Sequence, residues 1–204
     1  VRSFTAAEVT DGTLVAWVGL ENRLVQSENF SSNVWNKSSN RVSITSDLIT
    51  APDGEVTADL ATWSTPSFSD GMGQATSVTA GTYTASIYLK YNGSQWVQMF
   101  FGSQGFGGGH GNFDLLNGVK GSSLGSSSIE DVGDGWYRCS VTRTTSISAS
   151  TGLCATLTVS SGTVGRFGSG VAGSYYVWGA QLNKSSTAET YARATSGISG
   201  DGFV

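Results

Sequence analysis

"AGTYTASIYLKYNGSQWVQMFFG", Ala80 to Gly102, holds two alternating runs joined through Tyr91-Asn92-Gly93-Ser94. In an extended strand, successive side chains point to opposite faces, so a period of two separates a buried row from an outward one. Tyr83, Ala85, Ile87 and Leu89 form one apolar row, against Ser86, Tyr88 and Lys90. Val97, Met99 and Phe101 form a second, against Trp96, Gln98 and Phe100. Asn-Gly between two such runs is a strong hairpin signal, so the two strands are expected to pair side by side.

The same period runs through the rest of the chain. In "GWYRCSVT", Tyr137, Cys139 and Val141 point inward, leaving Trp136, Arg138 and Ser140 outward. In "YYVWGAQL", Tyr176, Trp178, Ala180 and Leu182 share the core face, and Tyr175, Val177, Gly179 and Gln181 the other. In "GLCATLTV" the apolar set Leu153, Ala155, Leu157 and Val159 sends Cys154 to the far side. "APDG" at 51–54 and "GDG" at 133–135 are turns with a clear mechanism. No stretch sustains a helical period over eleven residues or more. About ten short antiparallel strands separated by turns predict an all-β sandwich or barrel. Residues 1–24 hold one short run, "TLVAWVGL", and otherwise read as an attachment arm; 25–194 form the sandwich and 195–204 a tail.

Composition narrows the function. Of 204 residues only 13% are charged, and the formal net charge is −4, so the basic footprint of a nucleic-acid binder is missing. No apolar run is long enough for a membrane-spanning helix. The first residues lack the apolar core of a secretory signal, and Val1 in place of Met implies initiator removal or excision from a longer chain. Cys139 and Cys154 lie on opposite faces of their strands, which predicts two free thiols.

The outward residues mix aromatics with polar groups: Tyr88, Lys90, Trp96, Gln98, Phe100, Trp136, Arg138, Tyr175 and Gln181. They are expected on a single side of one sheet. Aromatic faces stack on the C–H groups of a pyranose while amides and guanidinium groups bind its hydroxyls, the usual blend of a ligand site. The same blend suits a subunit interface or a surface covered by the arm. "GFGGGHGN" lacks the Lys-Ser/Thr and the helix of a phosphate loop, and reads as a flexible, exposed hairpin tip. His110 is the only histidine, no nucleophile elbow of the G-x-S-x-G type is present, and one His with two divergent Cys makes a zinc site built mainly from such ligands implausible. Glu130, Asp131 and Asp134 offer carboxylates but read as a solvated turn. No catalytic residues are expected.

"RLVQSENFSSNVW", "ITAPDGEVTADL", "GTYTASIYLK", "FDLLNG", "GDGWYRCSVT" and "YVWGAQLNKSSTAETY" together resemble a jelly-roll module, similar to carbohydrate-binding modules, found in bacteriophage tail fibres, tail spikes and head fibres. The likeness spans residues 23–195; it departs after Tyr191, where many relatives place a proline. It implies a jelly-roll β-sandwich, a virion structural role as capsid decoration, head fibre or tail fibre, assembly in the host cytoplasm, and other virion proteins as partners, with a homotrimer among them. Binding of host-surface polysaccharide follows from the same likeness. An alternative is a carbohydrate-binding module within a tail spike or polysaccharide-degrading enzyme. Related jelly rolls often hold a structural calcium near the chain ends; Glu28 and Asp53 are the candidate oxygen donors here, although two scattered acids are usually plain surface residues. No other cofactor or metal is expected.

Overall fold

The computed structural model describes residues 22–37, 41–64, 71–158, 161–162 and 172–195. "TLVAWVGL", the rest of the arm to residue 21, Val159 and the tail from 196 lie outside the described residues. In chain order the strands are β1 (Asn36–Lys37), β2 (Val42–Ile49), β3 (Ala58–Trp63), β4 (Met72–Val78), β5 (Gly81–Asn92) and β6 (Trp96–Phe101). One helical turn, α1 (Ser103–Phe106), precedes β7 (His110–Asp114), β8 (Val119–Leu124), β9 (Ser126–Gly133), β10 (Trp136–Thr145), β11 (Ala149–Thr158) and β12 (Gly173–Asn183). They build two six-stranded sheets, β1-β4-β11-β6-β7-β8 and β2-β3-β12-β5-β10-β9. All named strand pairs are antiparallel, giving the jelly-roll β-sandwich the alternation predicts.

The core lies between the sheets. Tyr83, Ala85, Ile87 and Leu89 of β5 face Val97, Met99 and Phe101 of β6 across it, joined by Cys139, Val141, Leu153, Ala155 and Leu157. Each Val, Leu, Ile, Phe or Met among these, fully removed from water, contributes about 1.5–3 kcal/mol. Cys139 is a free, buried thiol whose pKa is pushed up by burial; the Cys154 side chain lies outside the described residues. The Asp-Gly turn is as expected, with Asp134 at φ 53° and Gly135 at φ 75° closing the β9–β10 hairpin. In "APDG" the amide of Gly54 donates to the Ala51 carbonyl at 3.0 Å.

Three expectations are corrected. First, β5 and β6 do not pair: they belong to opposite sheets. The segment between them turns a corner, with Gly93 at φ 88° and Asn92 Nδ2 donating to Ser174 Oγ of β12 at 2.8 Å. Two inward rows look the same whether their strands lie side by side or face to face, so alternation alone does not separate the cases.

Second, β12 carries a bulge. Trp178 pairs with Tyr88 and Gln181 with Ser86, so three steps on β12 match two on β5. Gly179, at φ 60°, is within this irregularity and adopts a backbone conformation that costs other L-residues. The extra residue reverses the alternation. Tyr175 and Val177 before it, and Ala180 and Leu182 after it, all enter the core, while Trp178 joins a separate cluster outside.

Third, the glycine-rich hairpin between β6 and β7 is anchored. Phe106 is buried and stacks on Phe101, with ring centroids 4.7 Å apart and planes 11° apart. Arg143 lies so close over Gly109 that a Cβ there would come within 2.3 Å of its Cγ, and Arg143 Nε donates to the Phe106 carbonyl at 3.2 Å. The glycine at this position therefore admits an arginine stem. His110 belongs to β7 and is buried.

The first described residues are tied to the last strand and the segment after it by polar groups. Asn22 Nδ2 donates to the carbonyls of Ala180 and Ala192, each at 2.9 Å, and Leu24 enters the core. Asp59 of β3 is a buried strut: Oδ2 accepts from the Phe30 amide and Oδ1 from the Asp47 amide, both at 3.0 Å. Asp47 itself sits at φ 54° in the irregular part of β2. Burial raises the Asp59 pKa to about 6, against the lowering effect of those two amides.

Gly179→Ala adds a left-handed alanine and a Cβ 2.9 Å from the Tyr88 ring, so it should cost about 2–4 kcal/mol in urea denaturation. Gly54→Ala, at φ 92° with nothing within 4 Å, should cost only about 1–2 kcal/mol. For Asp59 the folded pKa lies above the ordinary 3.8, so the stability linked to its proton is complete below 3.8 and is lost as pH rises through about 6. Asp59→Asn should destabilise at every pH, because its amide group cannot accept from both backbone amides. The melting-temperature gap between wild type and Asp59→Asn should widen from pH 7 to pH 4.5; a gap that narrows would show that Asp59 prefers its charge.

Candidate functional site

The outer face of the second sheet is a grid fixed by strand register. Reading across β12, β5, β10 and β9, the rows are Tyr176, Lys90, Trp136 and Gly133; Trp178, Tyr88, Arg138 and Glu130; Gln181, Ser86, Ser140 and Ser128; and Asn183, Thr84, Thr142 and Ser126. Aromatics fill one end of this grid and hydroxyl groups the other.

The chain itself covers the aromatic end. Residues 184–195 cross the face as a strap, and the segment around 50–57 closes over its edge. Tyr191 of the strap packs against Tyr88 and Trp178, with ring centroids 5.9 and 4.7 Å away, and Tyr88 and Trp178 meet at 5.1 Å. Trp136 Nε1 donates to the Thr50 carbonyl at 3.2 Å, and Trp178 Nε1 to Thr57 Oγ1 at 3.1 Å. Trp136, Trp178 and Tyr88 are only 2%, 4% and 9% exposed. They form a second small core, so no open aromatic platform exists at these residues.

Polar residues clamp the strap. Gln181 is fully buried; its Nε2 donates to the Thr190 carbonyl at 3.1 Å and its Oε1 accepts from the Ala192 amide at 2.8 Å. Arg138 Nη2 donates to Ser86 Oγ at 3.2 Å and to the Glu189 carbonyl, and the guanidinium lies 5.4 Å from the Tyr88 ring centroid. The Tyr88 pKa is raised, mainly by burial.

The expected single-sided site is thus divided. Tyr88, Lys90, Trp136, Arg138 and Gln181 do share this face. Trp96, Gln98 and Phe100 lie on the outer face of the other sheet, across the sandwich. There Gln98 Nε2 donates to Asn112 Oδ1 at 2.9 Å, and Asn112 Nδ2 to Ser122 Oγ and the Ser161 carbonyl, each at 3.1 Å. Tyr175 is in the interior, its ring 4.9 Å from that of Trp63.

What remains open is a groove of about 300 Å³ at the hydroxyl end of the grid. β9 and β10 supply its floor through Ser126, Ser128, Glu130, Arg138, Ser140 and Thr142; Ser186 and Thr187 of the strap form a wall. Only Arg138 among these is in the expected set. The others carry no hydrophobic alternation, and "SSSIED" gives no reason to prefer a strand to a loop. The one available signal is the Asp-Gly turn, which brings β9 back along β10.

A second groove, of about 380 Å³, lies where the N-terminal segment meets the strap, lined by Gln26, Glu28, Asp47, Asp59 and Arg193 among others. Glu28 Oε2 is 3.0 Å from Arg193 Nε, and its Oε1 accepts from the Tyr191 hydroxyl at 2.9 Å. Burial raises the Glu28 pKa, opposed by Tyr191 and Arg193. The calcium expectation does not fit this arrangement. Both Glu28 oxygens have partners, Asp53 Oδ1 accepts from the Glu55 amide at 3.1 Å, and no group of three or more His, Cys, Asp or Glu suited to a metal occurs among the described residues.

No family model and no curated protein matches the chain. Among solved structures it is similar to TmCBM61 in complex with β-1,4-galactotriose, at 11% identity and a TM-score of 0.45, over 81% of this chain and 99% of that one. It is also similar to the enzymatically active domain of tailspike protein 4 of bacteriophage CBA120, at 9% identity and a TM-score of 0.41, over 79% of this chain and 21% of that one.

Proposed function

We propose that the chain is a glycan-binding module of a bacteriophage virion structural protein, and that the groove over β9 and β10 receives the sugar. The observation that carries this reading is the hydroxyl grid. Ser and Thr hydroxyls each donate one hydrogen bond and accept others by simple rotation, which matches the mixed donors and acceptors of a saccharide. A volume of about 300 Å³ fits a short stretch of sugar chain. The virion setting rests on the six stretches that resemble phage jelly-roll modules. In that setting the module is a capsid-decoration, head-fibre or tail-fibre element on the particle surface, assembled in the host cytoplasm and presented in several copies as a homotrimer.

The groove binds rather than cleaves in this reading. Glu130 is the one carboxylate among its lining residues, whereas glycoside hydrolysis generally uses a pair. With no open aromatic platform at the grid, affinity per site is weak, and attachment draws its strength from several copies acting together.

The test uses affinity electrophoresis through gels containing soluble polysaccharides. Ser128 is exposed on the groove floor, so Ser128→Tyr should fill the groove, keep the melting temperature, and weaken retardation by roughly tenfold or more. Trp96→Ala, on the opposite sheet, should leave retardation unchanged. Equal retardation of Ser128→Tyr and wild type would remove the groove from consideration.

A further inference from the structure

Resting on that reading, we infer that the groove selects uncharged glycans, and that Glu130 is the specificity residue that turns acidic sugars away. The argument starts from the state of the one guanidinium in the groove. Recognition of a carboxylate by arginine is strongest when two parallel N–H groups fork onto its two oxygens. Arg138 is turned toward the protein: Nη2 is held by Ser86 Oγ and the Glu189 carbonyl, the plane lies against Tyr88, and Nε is buried without a hydrogen-bond partner. That leaves no fork for an incoming carboxylate.

The other charges point the same way. Glu130 is the cross-strand neighbour of Arg138 and is exposed on edge strand β9; Asp131, next along the strand, is not among the groove's lining residues. Lys90 occupies the next row of the grid, 6.0 Å from the Trp136 ring centroid, and does not line the groove. Lys120 donates to the Ser127 carbonyl at 3.3 Å and is likewise absent from the lining. The whole chain carries a net charge of −4. A uronate or sulfated sugar therefore meets the exposed Glu130 carboxylate, while the Arg138 charge beside it has both Nη2 hydrogens spent on neutral protein groups; a neutral sugar meets the Ser126, Ser128 and Ser140 hydroxyl groups, able to serve it in either role. At partly solvated distances one such like charge weakens binding by roughly tenfold, less at high salt.

The experiment compares wild type, Glu130→Gln and Glu130→Lys against galactan, glucomannan and dextran as neutral polymers, and polygalacturonate, alginate and hyaluronan as acidic ones. Thermal melting confirms that each variant is folded. Wild type should bind at least one neutral polymer and bind every acidic one at least roughly tenfold more weakly at low salt. Glu130→Lys should strengthen acidic binding by roughly tenfold or more, in a salt-sensitive way, with Glu130→Gln intermediate. In both variants neutral binding should change by a smaller factor than acidic binding and without its salt dependence, so the acidic-to-neutral ratio is the readout. Wild-type preference for an acidic polymer, or Glu130→Lys leaving acidic binding unmoved, would overturn the inference while the glycan reading stands. Failure of wild type to bind any of the six would overturn both.

Discussion

One inserted residue in β12 sets which of its side chains enter the core and which lie on the outer face of its sheet. With the irregularity around Gly179, Tyr175 and Val177 face inward on one side and Ala180 and Leu182 on the other, a pattern that unbroken pleating would forbid. Trp178 is left outside, beside Tyr88, and the absence of a side chain at 179 lets Tyr191 approach both. That approach gives the strap its aromatic anchor. Both grooves depend on it, since Ser186 and Thr187 wall one and Arg193 the other.

The strap is held by polar links as much as by rings. Tyr191 reaches Glu28 and Ser27, Arg193 pairs with Glu28, and the Ala194 amide donates to Ser27 Oγ at 2.9 Å. These contacts fasten the start of the described chain to its end. Buried groups of this kind stabilise only when every member finds its partner, and losing one leaves the others desolvated without compensation. Glu28 and Asp59 show the cost directly, because burial outweighs their hydrogen bonds and raises both pKa values. Asp114 is the counter-example: burial again opposes its charge, yet donors from Asn117, Gln95 and Leu116 prevail and hold its pKa down.

The inward rows of β5, β6, β10 and β11 were legible because each alternates without interruption, and apolar burial enforces the register. The Asp-Gly turn was legible because two successive positive φ angles demand such residues. Which sheet each strand joins was not legible, since Val97 and Leu89 face the same core from opposite sides and read alike in sequence. The bulge escaped because a glycine within a strand signals a bulge only sometimes. Treating Gly179 as an ordinary pleat exchanged Tyr175 with Trp178 and so misplaced one residue of the expected site. The candidate groove was the least legible feature, because strap residues far along the chain build its wall and small hydroxyl side chains build most of its floor.

That difference bears on how recognition by this fold should be judged. Aromatic residues between polar ones suggest a stacking surface, but a ring binds a sugar only where it is open to solvent. At the grid, Trp136, Trp178 and Tyr88 instead secure the segments that cross the sheet. These rings hold the strap and the 50–57 segment against the sheet and are not open for sugars to stack on. In the proposed reading, selectivity passes to the row where the strap leaves the floor uncovered, and there Glu130 beside a hydrogen-bonded Arg138 would set the electrostatic sign of what can enter.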